Sequence, residues 1–185
     1  FKKQLSLELD EREAVHEVSD VIVAAGVQHV LGGFMAAPSA FGLYALGSKS
    51  TLAAFACHGC AMEAGYELYD LLFRFWQRLT LPDGRARAPN GLIIAQCAHH
   101  TMGLGLVVPM NVYFHDDPLY HEAMFLLSGV AGLTLFSQVF GFTINVKTPS
   151  GLRIMQVMTV LVALAVYWSR GFRYVQIAFD LMPKV

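Results

Sequence analysis

Long stretches without charge alternate with short polar turns along the whole chain. From Val21 to Leu46 no formally charged residue occurs, which suffices to cross a hydrocarbon core of ~30 Å needing about 20 helical residues. Gly26, Gly32, Gly33, Ala36, Ala37 and Gly42 suit this first span to close helix packing, and Pro38 is expected to break or kink it. Gly47-Ser48-Lys49-Ser50 predicts a turn with Ser50 as the helix N-cap. A second span follows from Thr51 to Trp76, a third from Gly91 to Phe114, a fourth from Leu119 to Val146 and a fifth from Leu152 to Ser169. Between the second and third lies a basic loop, Gln77 to Asn90, turned at Leu81-Pro82-Asp83-Gly84. Tyr167 and Trp168 read as an interfacial aromatic belt, and the tail beyond them continues as a greasy helix.

This pattern predicts an all-α fold: a polytopic transmembrane helical bundle of about five to six spans, formed by residues 21–185. Residues 1–20 hold Glu8, Asp10, Glu11, Glu13, Glu17 and Asp20 and read as an acidic segment, interfacial or solvated. Composition agrees, with 55% hydrophobic and only 15% charged residues against about 25% charged in soluble domains. A net charge of -1 supplies no field for nucleic acid, so no nucleic-acid partner is expected. With five crossings the N-terminus and the loops around Arg78, Arg85, Arg87, Lys147 and Arg153 share one side, which the positive-inside rule places toward the cytoplasm or its organellar equivalent. An endoplasmic reticulum or organellar membrane, mitochondrial or plastid, is the expected location. The chain opens at Phe1, consistent with a processed form or a shortened start.

Polar residues inside apolar spans carry the candidate chemistry. Glu63, Glu67 and Asp70 recur at helical spacing and share one face of the second span, with Arg74 placed to pair with Asp70. Cys57-His58-Gly59-Cys60 lacks the second cysteine pair that a four-ligand zinc site needs, so the two cysteines read as small buried residues one turn apart. His29 reads as a polar contact between helices rather than as a ligand. No metal site is assigned, and no cofactor beyond a bound lipid. A haem or pigment carrier using His29, His58, His99 or His100 is a further class that no spacing selects.

Gly65-Tyr66 with Tyr69-Asp70-Leu71 at the end of one span, then His99-His100 in the next, resembles the TLC domain family of membrane proteins, over roughly Thr51 to Leu181. The resemblance implies a bundle in which lipid enters an intramembrane cavity, with Tyr66, Tyr69 and Asp70 lining it. In the ceramide synthase branch it implies acyl transfer from acyl-CoA to a lipid amine or alcohol, with His99 and His100 catalytic: a neutral imidazole accepts the proton the nucleophile loses. The chain departs from that branch downstream. Asp116 and Asp117 stand in a loop and Glu122 is alone in the fourth span, where a spaced acidic pair belongs. The leading expectation is therefore a non-catalytic TLC-like protein that binds lipid and packs as an accessory subunit against other membrane proteins. The alternative is an acyl-CoA-dependent N-acyltransferase.

Overall fold

Helix boundaries fall where the sequence supplies the groups to start or stop them. The computed structural model describes residues 11–184, and all regular structure there is helical. Helix α1 runs Glu11–Ala40. Pro38 sits in its last turn, and the chain then closes on itself: the Leu43 N–H donates to the Pro38 carbonyl at 2.8 Å and the Gly42 N–H to that of Ser39 at 3.2 Å. This double closure requires a left-handed residue, supplied by Gly42 at φ 63°. The first span thus leaves the α-helix at Ala40, short of Leu46, and Tyr44–Leu46 forms a lone 3-10 turn. Of the acidic segment expected at residues 1–20, the part from Glu11 is the opening of α1; residues 1–10 lie outside the described residues.

Helix α2, Lys49–Thr80, is capped by Ser48, whose Oγ accepts from the Thr51 N–H at 3.2 Å. Ser50 was the expected cap, but it is already helical, whereas Ser48 holds the extended backbone that a cap needs. A single turn, α3 (Gly84–Arg87), and an Arg87–Asp83 bond of 2.8 Å organise the basic loop. Helix α4 spans Asn90–Tyr113. Helix α5 (Pro118–Met124) begins with the Asp117 carboxylate accepting from the Leu119 N–H at 2.9 Å. It continues through a wider π-turn, Phe125–Gly129, into α6 (Val130–Phe142) as one rod. Likewise α7 (Pro149–Val166), capped by Thr148, passes through a π-turn at Tyr167–Arg173 into α8 (Tyr174–Leu181).

Among the described residues four helical stretches are long and apolar enough to cross a membrane: Ile22–Ala40, Asn90–Tyr113, Pro118–Gly141 and Pro149–Lys184. Helix α2 is as long, but Glu63, Glu67, Asp70, Arg74 and Arg78 interrupt its apolar character. The outer surface carries exposed Leu31, Phe34, Phe55, Leu68, Ile94, Leu133 and Leu161, whereas Glu63, Glu67, Asp70, Arg74 and His100 are buried. Charge inside and hydrocarbon outside is the arrangement lipid demands.

Helix α1 lies between α2 and the α5–α6 rod, while α4 packs on α2 and the α7–α8 rod packs on α5 and α6. Glycines let the backbones meet. A Cβ on Gly33 would lie 2.6 Å from the Gly129 Cα, and one on Gly59 would lie 2.9 Å from the Gly32 carbonyl oxygen. The apolar core, built on Ala36, Ala56, Cys60, Tyr120, Met124 and Ile177, gathers near the C-terminal end of α1. Cys60 is fully buried there and Cys57 donates to the His115 carbonyl at 3.2 Å, so both cysteines are packing residues. His121, wholly buried, bonds Ser39 Oγ through Nδ1 (2.7 Å) and donates from Nε2 to the His115 carbonyl (2.9 Å), so both ring nitrogens are satisfied.

Candidate functional site

The polar stripe predicted on the second span is a structural feature of α2. Its buried positions run Leu52, Ala53, Ala56, Gly59 and Cys60, then Glu63, Glu67, Asp70, Arg74 and Gln77: one face, apolar in its first half and charged in its second. Spacings of three and four residues keep these side chains on a single helical stripe. The charged half meets α1 on one side and α4 on the other. From α1, His29 Nδ1 contacts the Glu63 carboxylate. From α4, Gln96 donates to Asp70 Oδ2 at 2.8 Å and His100 Nε2 donates to the same oxygen at 3.2 Å. Arg74 Nε stands 3.5 Å from the other Asp70 oxygen and Arg74 Nη1 donates to Gln77 at 2.9 Å. Asp70 is thus the hub that joins α2 to α4. Donation from Nε2 to Asp70 orients the His100 ring, whose Nδ1 points away from that carboxylate.

Beside this network lies a cavity of about 240 Å³, enclosed by α1, α2, α4, the α5–α6 rod and the α7–α8 rod. His29, Glu63, Glu67, His99 and Arg170 form its polar wall; Met102, Leu106, Val107, Met124, Leu127 and Ala131 form much of the remainder. Helix α4 does not pack along α7 or α8. Met102, Leu106 and Arg170, which line the cavity on this side, are exposed. With a rise of ~1.5 Å per residue, His99 lies about 14 Å along α4 from Asn90, close to half a hydrocarbon thickness. Its volume falls just under the ~300–1,000 Å³ usual for ligand sites, which suits one end of an amphiphile better than a whole lipid.

The predicted site residues separate. His99 lines the cavity, and His100 is buried next to it, with ring centroids 5.4 Å apart. Asp70 stands behind the wall and orients His100. Tyr66 is not a lining residue; its ring meets His29 edge-on at 6.2 Å. Tyr69, 60% exposed, faces outward and stacks on Phe73. Each residue advances a helix by about 100°, so Tyr69, two positions from Glu67, cannot share the face that Glu67 and Asp70 hold. His58 is exposed and outside the cavity wall. Sequence reasoning placed Glu67 and Glu63 on one stripe without assigning them to the site, and it missed Gln96 and Arg170. Gln96, one turn before His100 on the same face of α4, was the available signal.

Glycine shapes the wall as well. Gly103 lies one turn after His99 and His100, and any side chain there would overlap the Glu67 carboxylate. Several polar atoms of this network, among them Glu63 Oε2, Glu67 Oε2, Gln96 Oε1 and His100 Nδ1, are buried without a hydrogen-bond partner among the described residues. Comparison with known proteins found no matching family model, no matching curated protein and no matching solved structure.

Proposed function

We propose that this chain is a TLC-like integral membrane protein that crosses the membrane five times, binds a lipid by its polar end in the cavity, and serves as a non-catalytic accessory subunit of a larger membrane complex. One observation carries the lipid reading: a largely apolar cavity with a polar wall, lined by α4 and by the α7–α8 rod, which do not pack along each other. A headgroup oxygen or nitrogen meets His29, His99 and Arg170, while the chains stay in the bilayer past Met102 and Leu106. Five crossings follow if α2 spans too, since its charges face inward and Phe55, Leu68, Leu72 and Phe75 face out. The side bearing Arg78, Arg85, Arg87, Lys147 and Arg153 then faces the cytoplasm or the equivalent organellar compartment, the membrane being that of the endoplasmic reticulum, mitochondrion or plastid.

Support for a partner subunit comes from the groove between α6 and α7, which presents Thr134, Ser137, Gln138 and Thr159. Gln138 is exposed there, and a side-chain amide facing hydrocarbon is stabilised by a polar group from another helix.

The test is mass spectrometry of the protein extracted in native lipid. Stoichiometric lipid, lost on filling the cavity by Leu127→Trp and retained in Tyr69→Ala, supports the reading; a lipid-free protein, or equal retention in both variants, refutes it. A second reading, acyl-CoA-dependent acyl transfer to a lipid amine or alcohol, draws on the Asp70–His100 pair, because α2 supplies the carboxylates that the downstream sequence lacks. Product formed from acyl-CoA and long-chain amines, abolished in His99→Ala/His100→Ala with the fold intact, would replace the non-catalytic reading with this one.

A further inference from the structure

We infer that Glu67, His99 and His100 form a binding site for a divalent first-row metal ion, zinc being the ion that fits best, with an open coordination position facing the cavity. One ligand atom from each of the three residues lies within 4.8 Å of the other two. A tetrahedral ion with bonds of ~2.0–2.1 Å sets its donors ~3.3 Å apart, so small side-chain rotations close the set. Two imidazoles and one carboxylate are the donors of catalytic-type zinc sites, in which three protein ligands leave the fourth position to water.

Two features support coordination over a simple hydrogen-bond network. Glu67 Oε2 and His100 Nδ1 are both buried without a hydrogen-bond partner among the described residues, and both residues belong to this triplet. One cation satisfies both at once. Secondly, His100 donates its other nitrogen to Asp70. A carboxylate behind a histidine is the arrangement that fixes the tautomer of a metal ligand and raises its basicity, and Asp70 is itself held by Gln96 and Arg74.

The ligands come from two helices, Glu67 from α2 and the adjacent histidines from α4, which is why no linear motif announces them. His99 is the accessible ligand and Glu67 and His100 the buried ones, so the ion enters from the cavity side and its open position points back into it. The inference does not depend on the cavity's holding a lipid.

The experiment uses the full chain, purified without a histidine tag, stripped with chelator and re-dialysed against zinc, with metal content read by plasma mass spectrometry. Cobalt(II) in place of zinc reports tetrahedral imidazole coordination by its visible absorption. About one zinc per chain is expected in the wild type and in His58→Ala. His99→Ala, whose side chain is the exposed ligand and so leaves packing intact, should bind at least tenfold more weakly. Asp70→Asn should retain coordination with affinity reduced about 10–100-fold, the effect of losing an orienting carboxylate. Wild-type protein that takes up neither zinc nor cobalt overturns the site. So does zinc bound equally by wild type, His99→Ala and a Glu67→Gln variant that still elutes as a folded monodisperse species.

Discussion

Replacing Gly33 by Ala tests the crossing on which the central helix depends. A Cβ there would lie 2.5 Å from the Gly129 nitrogen and 2.6 Å from its Cα, about 1 Å inside the ~3.5–4.0 Å at which carbon atoms attract. Both colliding groups are backbone, so no rotamer change relieves the clash and α1 must move away from the π-turn at Phe125–Gly129. Overpacking costs about 1–3 kcal/mol, and rigid neighbours place this site in the upper part of that range. Ala gains about 1 kcal/mol over Gly in helix propensity, leaving a net loss of about 1–2 kcal/mol. Gly65 provides the control: it is exposed on α2 and a Cβ meets nothing within 4 Å, so only the propensity gain applies. At ~2–4 °C per kcal/mol for a chain of this size, Gly33→Ala should lower the melting temperature in detergent by several degrees, whereas Gly65→Ala should raise it by a few. Equal increases in the two variants would refute the close crossing.

Other consequences can be checked by separate means. Arg173 donates to both Glu122 oxygens, at 2.6 and 2.7 Å, joining α5 to the α7–α8 rod; a Glu122→Gln/Arg173→Met double-mutant cycle should show about 1–2 kcal/mol of coupling, and additive effects would show the pair to be solvent-weakened. Burial raises the Asp117 carboxyl, but hydrogen bonds from Lys184 and the Leu119 N–H outweigh it and hold it below its ordinary value. Its contribution is therefore full above the unfolded pKa of about 3.9 and is lost as pH falls through the depressed folded value. Amide protection factors near Leu181, taken relative to the intrinsic exchange rate at each pH, should fall on acidification below about pH 4, and those of Asp117→Asn should be low across the range; an identical pH profile in the variant would rule the contact out. Ser48→Ala should destabilise by about 1 kcal/mol and Ser50→Ala by much less, read by thermal melts, with the reverse order restoring Ser50 as the cap.

The helical character, the positions of the apolar stretches and the membership of the α2 stripe were legible in the chain. All are local: hydropathy over a span-length window and the 100° step of a helix need no knowledge of neighbours. That is why Glu63, Glu67, Asp70 and the Arg74 partner of Asp70 could be named from spacing, and why Gly32 and Gly33 could be read as sites of close approach. Tertiary structure decided everything that depends on how each helix is rotated about its own axis. It turned Tyr69 outward, set His29 against Glu63, gave Asp70 to His100 and left His99 to the cavity. Arg170 came to the cavity wall because the α7–α8 rod passes alongside the π-turn of the α5–α6 rod, and its guanidinium donates to the Leu127 carbonyl at 3.2 Å. Sequence determines which residues share a face of a helix; which face meets which neighbour is a sum over contacts between segments far apart in the chain. In this molecule that sum is settled largely by glycine backbones meeting at Gly33 and Gly129 and by buried polar groups finding partners across α1, α2 and α4.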